Sequence, residues 1–175
     1  SEGLPMQFHN IQDVEDYFGL EGWDTLRFLP VTTGLWPPPP SRVTDDYGDK
    51  EVIRDGLGGV YLRTKWLSNI PQQIRYPIEK RDDWEKIRPF FNAETPGRMS
   101  VDWDDIVKSY EGRTYPLGIS VGSLYGWLRN LMGVRNISIA FYKDPDWIAE
   151  MMDVLVNLWI ELIRKSLKDV KVDFT

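Results

Sequence analysis

The stretch PLGISVGSLYGWLRNLMG, Pro116 to Gly133, decides the fold. Pro116 to Val121 reads as a buried strand, a short apolar run bounded by turn residues. Gly122 supplies a tight turn and Ser123 a helix cap. Leu124 to Met132 then reads as a helix, ended by Gly133. Further on, Asp144 is an N-cap with Pro145 at the first helical position. Behind it Ile148, Met151, Met152, Leu155, Trp159, Leu162 and Ile163 recur at three- and four-residue steps. Such a stripe needs a wide apolar surface opposite it. Lys165 and Lys168 occupy the last turns, where cations suit the helix dipole. Val170 to Thr175, VKVDFT, reads as a second strand. Strand, helix, long helix, strand is a parallel crossover unit. Parallel sheets need several strands covered on both faces. The sheet is therefore expected to be completed by residues outside these 175, by another copy of the chain, or not at all.

Upstream, Asn10 caps a helix carrying Ile11, Val14, Tyr17 and Phe18, and Gly19 ends it. A second short helical piece is expected around Trp23 to Phe28. Pro37 to Pro40 excludes helix and inner strand and favours an extended stretch. It reads as a rigid connector, with a ligand for a proline-binding domain as the other reading. Glu51 to Asp55 and Gly59 to Lys65 form a hairpin signal around Gly56, Leu57 and Gly58. Glu79 to Ile87 reads as a helix with acidic residues in its first turn, stopped by Pro89. Asp102 to Tyr110 reads as another, with Trp103, Ile106 and Val107 on one face. Gly118, Gly122 and Gly126 fall at four-residue intervals, but they span a strand and a helix, so the spacing carries no meaning of its own.

Composition bounds the function classes. Hydrophobic residues make up 42% and charged residues 27%, an ordinary globular balance. Eight Trp, eight Tyr and seven Phe supply large buried areas, so a real core is expected. The net charge of −6 and the lack of a basic cluster remove the footprint of nucleic-acid binding. With no cysteine, disulfides, thiolate chemistry and Cys-based zinc sites within this chain are excluded. The lone His9 reads as an exposed polar residue ahead of the first helix cap. No stretch approaches the roughly 20 apolar residues of a membrane span, and no signal peptide is visible, so a cytoplasmic protein is expected.

Several segments, taken in order, resemble the uroporphyrinogen decarboxylase superfamily, which includes the decarboxylase and corrinoid-linked methyltransferases. The matching stretches are Ile53 to Val60, Tyr76-Pro77-Ile78 with Asp82 to Ile87, and above all Trp127 to Gly133 followed by Phe141 to Pro145. The resemblance runs from about Arg54 to the end and rests on the order of several weak motifs. It implies the N-terminal part of a (β/α)8 barrel with added N-terminal helices and a β-hairpin. Residues 1–114 would be that extension, and 115–175 the first β-α-β unit of an incomplete barrel. A whole barrel takes about 250 residues.

Active sites of such barrels lie at the C-terminal ends of the strands. By the resemblance, Gly122, Ser123 and Tyr125 are candidate substrate-binding residues. Backbone N–H groups at the helix start suit a carboxylate or phosphate. Their plainer reading is turn and cap. Arg129 could meet an acidic substrate, or form a surface ion pair. Asp173 is the weak catalytic candidate, as a carboxylate near a strand end, with a plain strand residue as the alternative. Arg54 and Asp55 read as a solvent-exposed turn pair, and Trp147 and Trp159 as core. The decarboxylase carries an arginine-rich motif that grips its acidic porphyrin. Arg27 to Trp36 occupy that region here as RFLPVTTGLW. The resemblance therefore implies a parent protein that transfers methyl groups with a corrinoid protein as partner, using zinc held by later strands. No metal site or cofactor is expected within this chain. Uroporphyrinogen decarboxylation is the alternative activity, and a non-catalytic assembly module that buries its open sheet edge is the alternative of another class.

Overall fold

A computed structural model describes residues 10–20, 27–67 and 70–175. In chain order the elements are α1 (Ile11–Phe18), β1 (Arg27–Phe28), β2 (Arg42–Asp46), β3 (Lys50–Arg54), β4 (Val60–Thr64), β5 (Gln72–Arg75) and α2 (Arg81–Ile87). A 3-10 turn over Arg88–Phe91 follows, then α3 (Trp103–Ser109), β6 (Leu117–Gly118), α4 (Leu124–Met132), α5 (Val134–Lys143) and α6 (Pro145–Ser166). The fold is mixed α/β, with one parallel and one antiparallel sheet. No closed barrel forms among the described residues.

The crossover is present in reduced form. β6 pairs in parallel with β1, Arg27 opposite Leu117 and Phe28 opposite Gly118. On its other side Gly118 bridges in parallel to Phe174. Asp173 N donates to Leu117 O at 2.7 Å, and Ile119 N to Phe174 O at 3.2 Å. β6 is thus the middle of three parallel segments, and Leu117, Gly118 and Ile119 are buried. The rings of Phe28 and Phe174 meet edge to face, 5.3 Å apart, on either side of Gly118. A Cβ at Gly118 would stand 2.5 Å from the Phe174 ring, so the close approach needs a residue without a side chain.

Two expected strands are shorter than their sequence suggests. Pro116 to Val121 contracts to two residues because the carbonyls of Ser120 and Val121 accept from side chains, Thr33 Oγ1 (2.7 Å) and Trp127 Nε1 (3.2 Å). Val170 to Thr175 contracts to the bridge at Phe174. Asp169 N and Val170 N are still closing the end of α6 onto Ser166 O. The helical piece expected around Trp23 to Phe28 is corrected where it is described: Arg27 and Phe28 are strand β1, while residues 23–26 and His9 lie outside the described residues.

The expected hairpin is the centre of a four-stranded antiparallel meander, β2-β3-β4-β5. Asp55 builds its turn: Oδ1 accepts from Leu57 N (2.9 Å) and Gly59 N (2.8 Å). α1 has a full capping box, Asn10 and Asp13 each accepting from the other's backbone, and Gly19 in the left-handed region as its C-cap. After α2 the chain tightens into the 3-10 turn, with Pro89 inside it rather than ending all helicity.

α6 lays down the stripe as read. Ile148, Met151, Leu155, Trp159 and Leu162 are buried, with Trp147 and Leu158 beside them. Against it pack α4, α5, Ile78, Trp84, Phe91 and Leu35. Each fully buried Leu, Ile or Met contributes about 1.5–3 kcal/mol by leaving water. A second cluster, Leu29, Leu117, Ile119 and Val170, lines the parallel segments under Trp103 and Val107 of α3. Residues on both sides of the expected division at 114/115 share these clusters.

Candidate functional site

Three parallel segments have one C-terminal end, and two loops leave it here: 29–36 after β1 and 119–123 after β6. Ligands of parallel α/β sheets bind at that end, where loops and helix N-termini converge. The two loops are tied together before any ligand is considered. Thr33 Oγ1 donates to Ser120 O across them, and Trp159 Nε1 of α6 donates to Thr33 O at 3.0 Å. Trp127 of α4 is wedged between the loops. A Cβ on Gly34 would stand 2.3 Å from its ring, and one on Gly122 2.9 Å from its Nε1. Gly122 also has φ +82°, a conformation costly for any other residue.

Behind the β1 loop lies a buried cation. Arg98, 2% exposed, donates to the carbonyls of Asn92 (2.7 Å), Thr32 (2.7 Å), Gly34 (2.8 Å) and Phe90 (2.5 Å). Burial alone pushes its pKa down. The guanidinium is spent on holding the loop and is not offered to a ligand.

At the mouth stand the residues read from the sequence. Ser123 caps α4, its Oγ accepting from Gly126 N at 2.8 Å. That leaves the hydroxyl in its structural role, and the helix dipole at the start of α4 favours an anion. Tyr125 is exposed and stacks on Phe141 of α5, centroids 6.5 Å apart and planes at 17°. Arg129, one turn further along α4, is exposed and donates to Asn130 Oδ1 at 3.3 Å. Gly122, Ser123 and Tyr125 therefore share the mouth, with Arg129 on the next turn.

Asp173 lies at the other end. It neighbours Leu117, where β6 begins, and its Oδ2 accepts from Leu117 N (2.9 Å) and from Arg113 Nη2 (2.6 Å). The Leu117 amide first, and the Arg113 guanidinium second, hold its carboxyl below the usual carboxylate range. A carboxylate so engaged, at the N-terminal end of the strands, is placed to fasten the final segment to β6.

Thr33, Arg98, Trp127 and Trp159 build this end, and none was readable as such. Their partners are backbone carbonyls, from six to 126 residues away in sequence, for which no motif exists. The only local trace is Gly34 and Gly122 at positions where a tryptophan fills the missing side-chain space. Among the described residues no group of three or more His, Cys, Asp or Glu comes together that could hold a metal ion. No helix among them is long and apolar enough to cross a membrane. In comparison with known proteins, no family model, curated protein or solved structure matches the chain.

Proposed function

We propose that this chain is the N-terminal part of a uroporphyrinogen decarboxylase-like barrel whose parent transfers methyl groups with a corrinoid protein. The parallel order of β1, β6 and the Phe174 segment, with α4 to α6 crossing between the last two, supports the barrel reading. What favours methyl transfer over porphyrin decarboxylation is the chemistry of the mouth. In loop 29–36 Thr33 is buried and donates to Ser120 O, and the cation behind the loop, Arg98, is locked onto four carbonyls. A polycarboxylate porphyrin would need cations facing it. The mouth instead offers the helix start of α4 and an aromatic pair, with the single cation Arg129 on the next turn, too little charge for a polycarboxylate.

The described residues do not fit a zinc site, so in this reading zinc comes from strands beyond these 175 residues and no step is assigned to it here. The part played by this chain is positional: Trp127 and Arg98 fix two loops, and Tyr125 with Phe141 forms one wall. Reading the gene past the Thr175 codon tests the proposal. A frame that continues into strands with His and Cys positions is expected. The encoded protein should then bind zinc and consume methylcobalamin in the presence of a thiol, seen as loss of the Co–C absorption. A stop codon at that point, together with a defined oligomer in size-exclusion chromatography, would refute the proposal and return the assembly-module reading.

A further inference from the structure

The antiparallel sheet carries a charge pattern that its stability does not explain. In cross-strand register, Arg42 of β2 lies opposite Arg54 of β3, Arg54 opposite Val60 of β4, and Val60 opposite Arg75 of β5. Directly opposed residues share a face, so three arginines stand in one row, and like charges so placed repel. Two other cations at the sheet are paired, although Lys50 of β3 is not. Arg63 lies opposite Glu51 and donates to it through Nε at 2.9 Å, and Lys65 Nζ reaches Asp46 at 2.7 Å. None of Arg42, Arg54 and Arg75 has a carboxylate within ion-pair distance among the described residues.

Two of the three arginines, Arg54 and Arg75, border a cleft of about 370 Å³ between the sheet, α2 and the loop leaving β1. Arg54 and Arg75 line it from strands two spacings apart, roughly 10 Å across. Lys86 of α2 adds a third cation to the lining, and Asp83 is the single acid there, 3.9 Å from Lys86. The remaining lining is apolar, chiefly Leu57, Ile87 and Phe90. The volume suits a small molecule. Guanidinium forks match the oxygens of a carboxylate or phosphate in pairs.

We propose that this cleft binds a small organic oxyanion, its charged head between Arg54 and Arg75 and its apolar body against Leu57, Ile87 and Phe90. The bound anion supplies the negative charge that the arginine row lacks. The site is separate from the mouth at the end of the parallel segments, although the loop after β1 serves both, through Thr33 there and Leu35 and Pro39 here.

Isothermal titration and thermal melts of the intact chain test this, with phenyl phosphate, benzoate and inorganic phosphate as probes, at constant ionic strength set by chloride. An aromatic anion should bind and raise the melting temperature, about tenfold more tightly than inorganic phosphate because its ring is buried. The tighter of phenyl phosphate and benzoate names the head group. Arg54→Gln and Arg75→Gln should each weaken binding by about tenfold or more, while Arg135→Gln on α5 leaves it unchanged. Without anion, the double variant should melt no lower than the wild type, because removing the repulsion offsets the lost packing. No binding of any probe up to about 10 mM overturns the proposal, as does equal binding by wild type and double variant.

Discussion

Replacing Arg98 by Met keeps the aliphatic stem and removes the charge together with four hydrogen bonds. Bonds to a charged group are worth about 1.5–3 kcal/mol each, which sets a ceiling of about 6–12 kcal/mol for the four. Two effects lower it. Taking the guanidinium out of water costs several kcal/mol, which the variant no longer bears. The Phe90 and Asn92 carbonyls also keep second donors, Trp36 N at 3.0 Å and Thr95 N at 3.2 Å. Two carbonyls, on Thr32 and Gly34, are then left with poorer partners, and the expected net loss is about 3–5 kcal/mol. At a slope of about 2 kcal/mol per molar, the urea midpoint should fall by about 2 M with the slope unchanged. Arg98→Lys should recover only a small part, since an ammonium cannot span four carbonyls set around a planar fork. Tryptophan fluorescence should report the loosened loop, because Trp127 and Trp159 lean on it. A Met variant that loses less than about 1 kcal/mol would refute the claim that this buried cation holds the β1 loop.

Asp173→Asn tests the opposite end. The folded carboxyl titrates below its unfolded value of about 3.9, so its stabilisation is complete above that pH and lost as pH falls through the folded value. The variant should therefore be less stable than wild type near pH 6, and the gap in urea midpoints should narrow as pH falls below the unfolded value. Gly118→Ala drives a methyl into the Phe174 ring and should cost about 1–3 kcal/mol, read as a lower melting temperature. Ser123→Ala removes the cap bond to Gly126 N and should cost about 1 kcal/mol in the same melt.

What was legible in the sequence is what local physics decides. The caps at Asn10, Ser123 and Asp144, the stop at Gly133 and the stripe of α6 each depend on residues within one or two turns, and the structure has them all. β2 and β5 were not legible, because every residue in them is exposed and no alternation marks a buried face. α5 escaped because it buries only Ile137 and Ala140 and leaves Val134, Ile139, Phe141 and Tyr142 in water, so its period is blurred. The arginine row escaped for another reason. It exists only in register, and register is fixed by bulges between Val43 and Asp45 and between Val60 and Tyr61 that no residue type announces.

The same distinction separates the two ends of the parallel array. Asp173 was singled out because acidic residues near strand ends do chemistry, but a sequence does not say which end a two-residue strand presents. Direction follows from pairing: Asp173 sits beside Leu117, where β6 starts, and Ser120 to Ser123 lie past where it stops. At the start, charge is spent inside the protein, on Arg113 and an amide. At the far end, Arg98 is likewise spent on carbonyls, but Tyr125 at the head of α4 is exposed. A residue whose polar atoms are already engaged serves the fold, and removing it changes stability. A residue whose polar atoms are presented serves a ligand, and removing it should leave the urea midpoint in place. Tyr125→Phe, which keeps the stack on Phe141, and Asp173→Asn therefore make a paired test: near neutral pH only the second should move the midpoint. If both move it equally, the mouth is as structural as the base, and the site must be sought elsewhere in the fold.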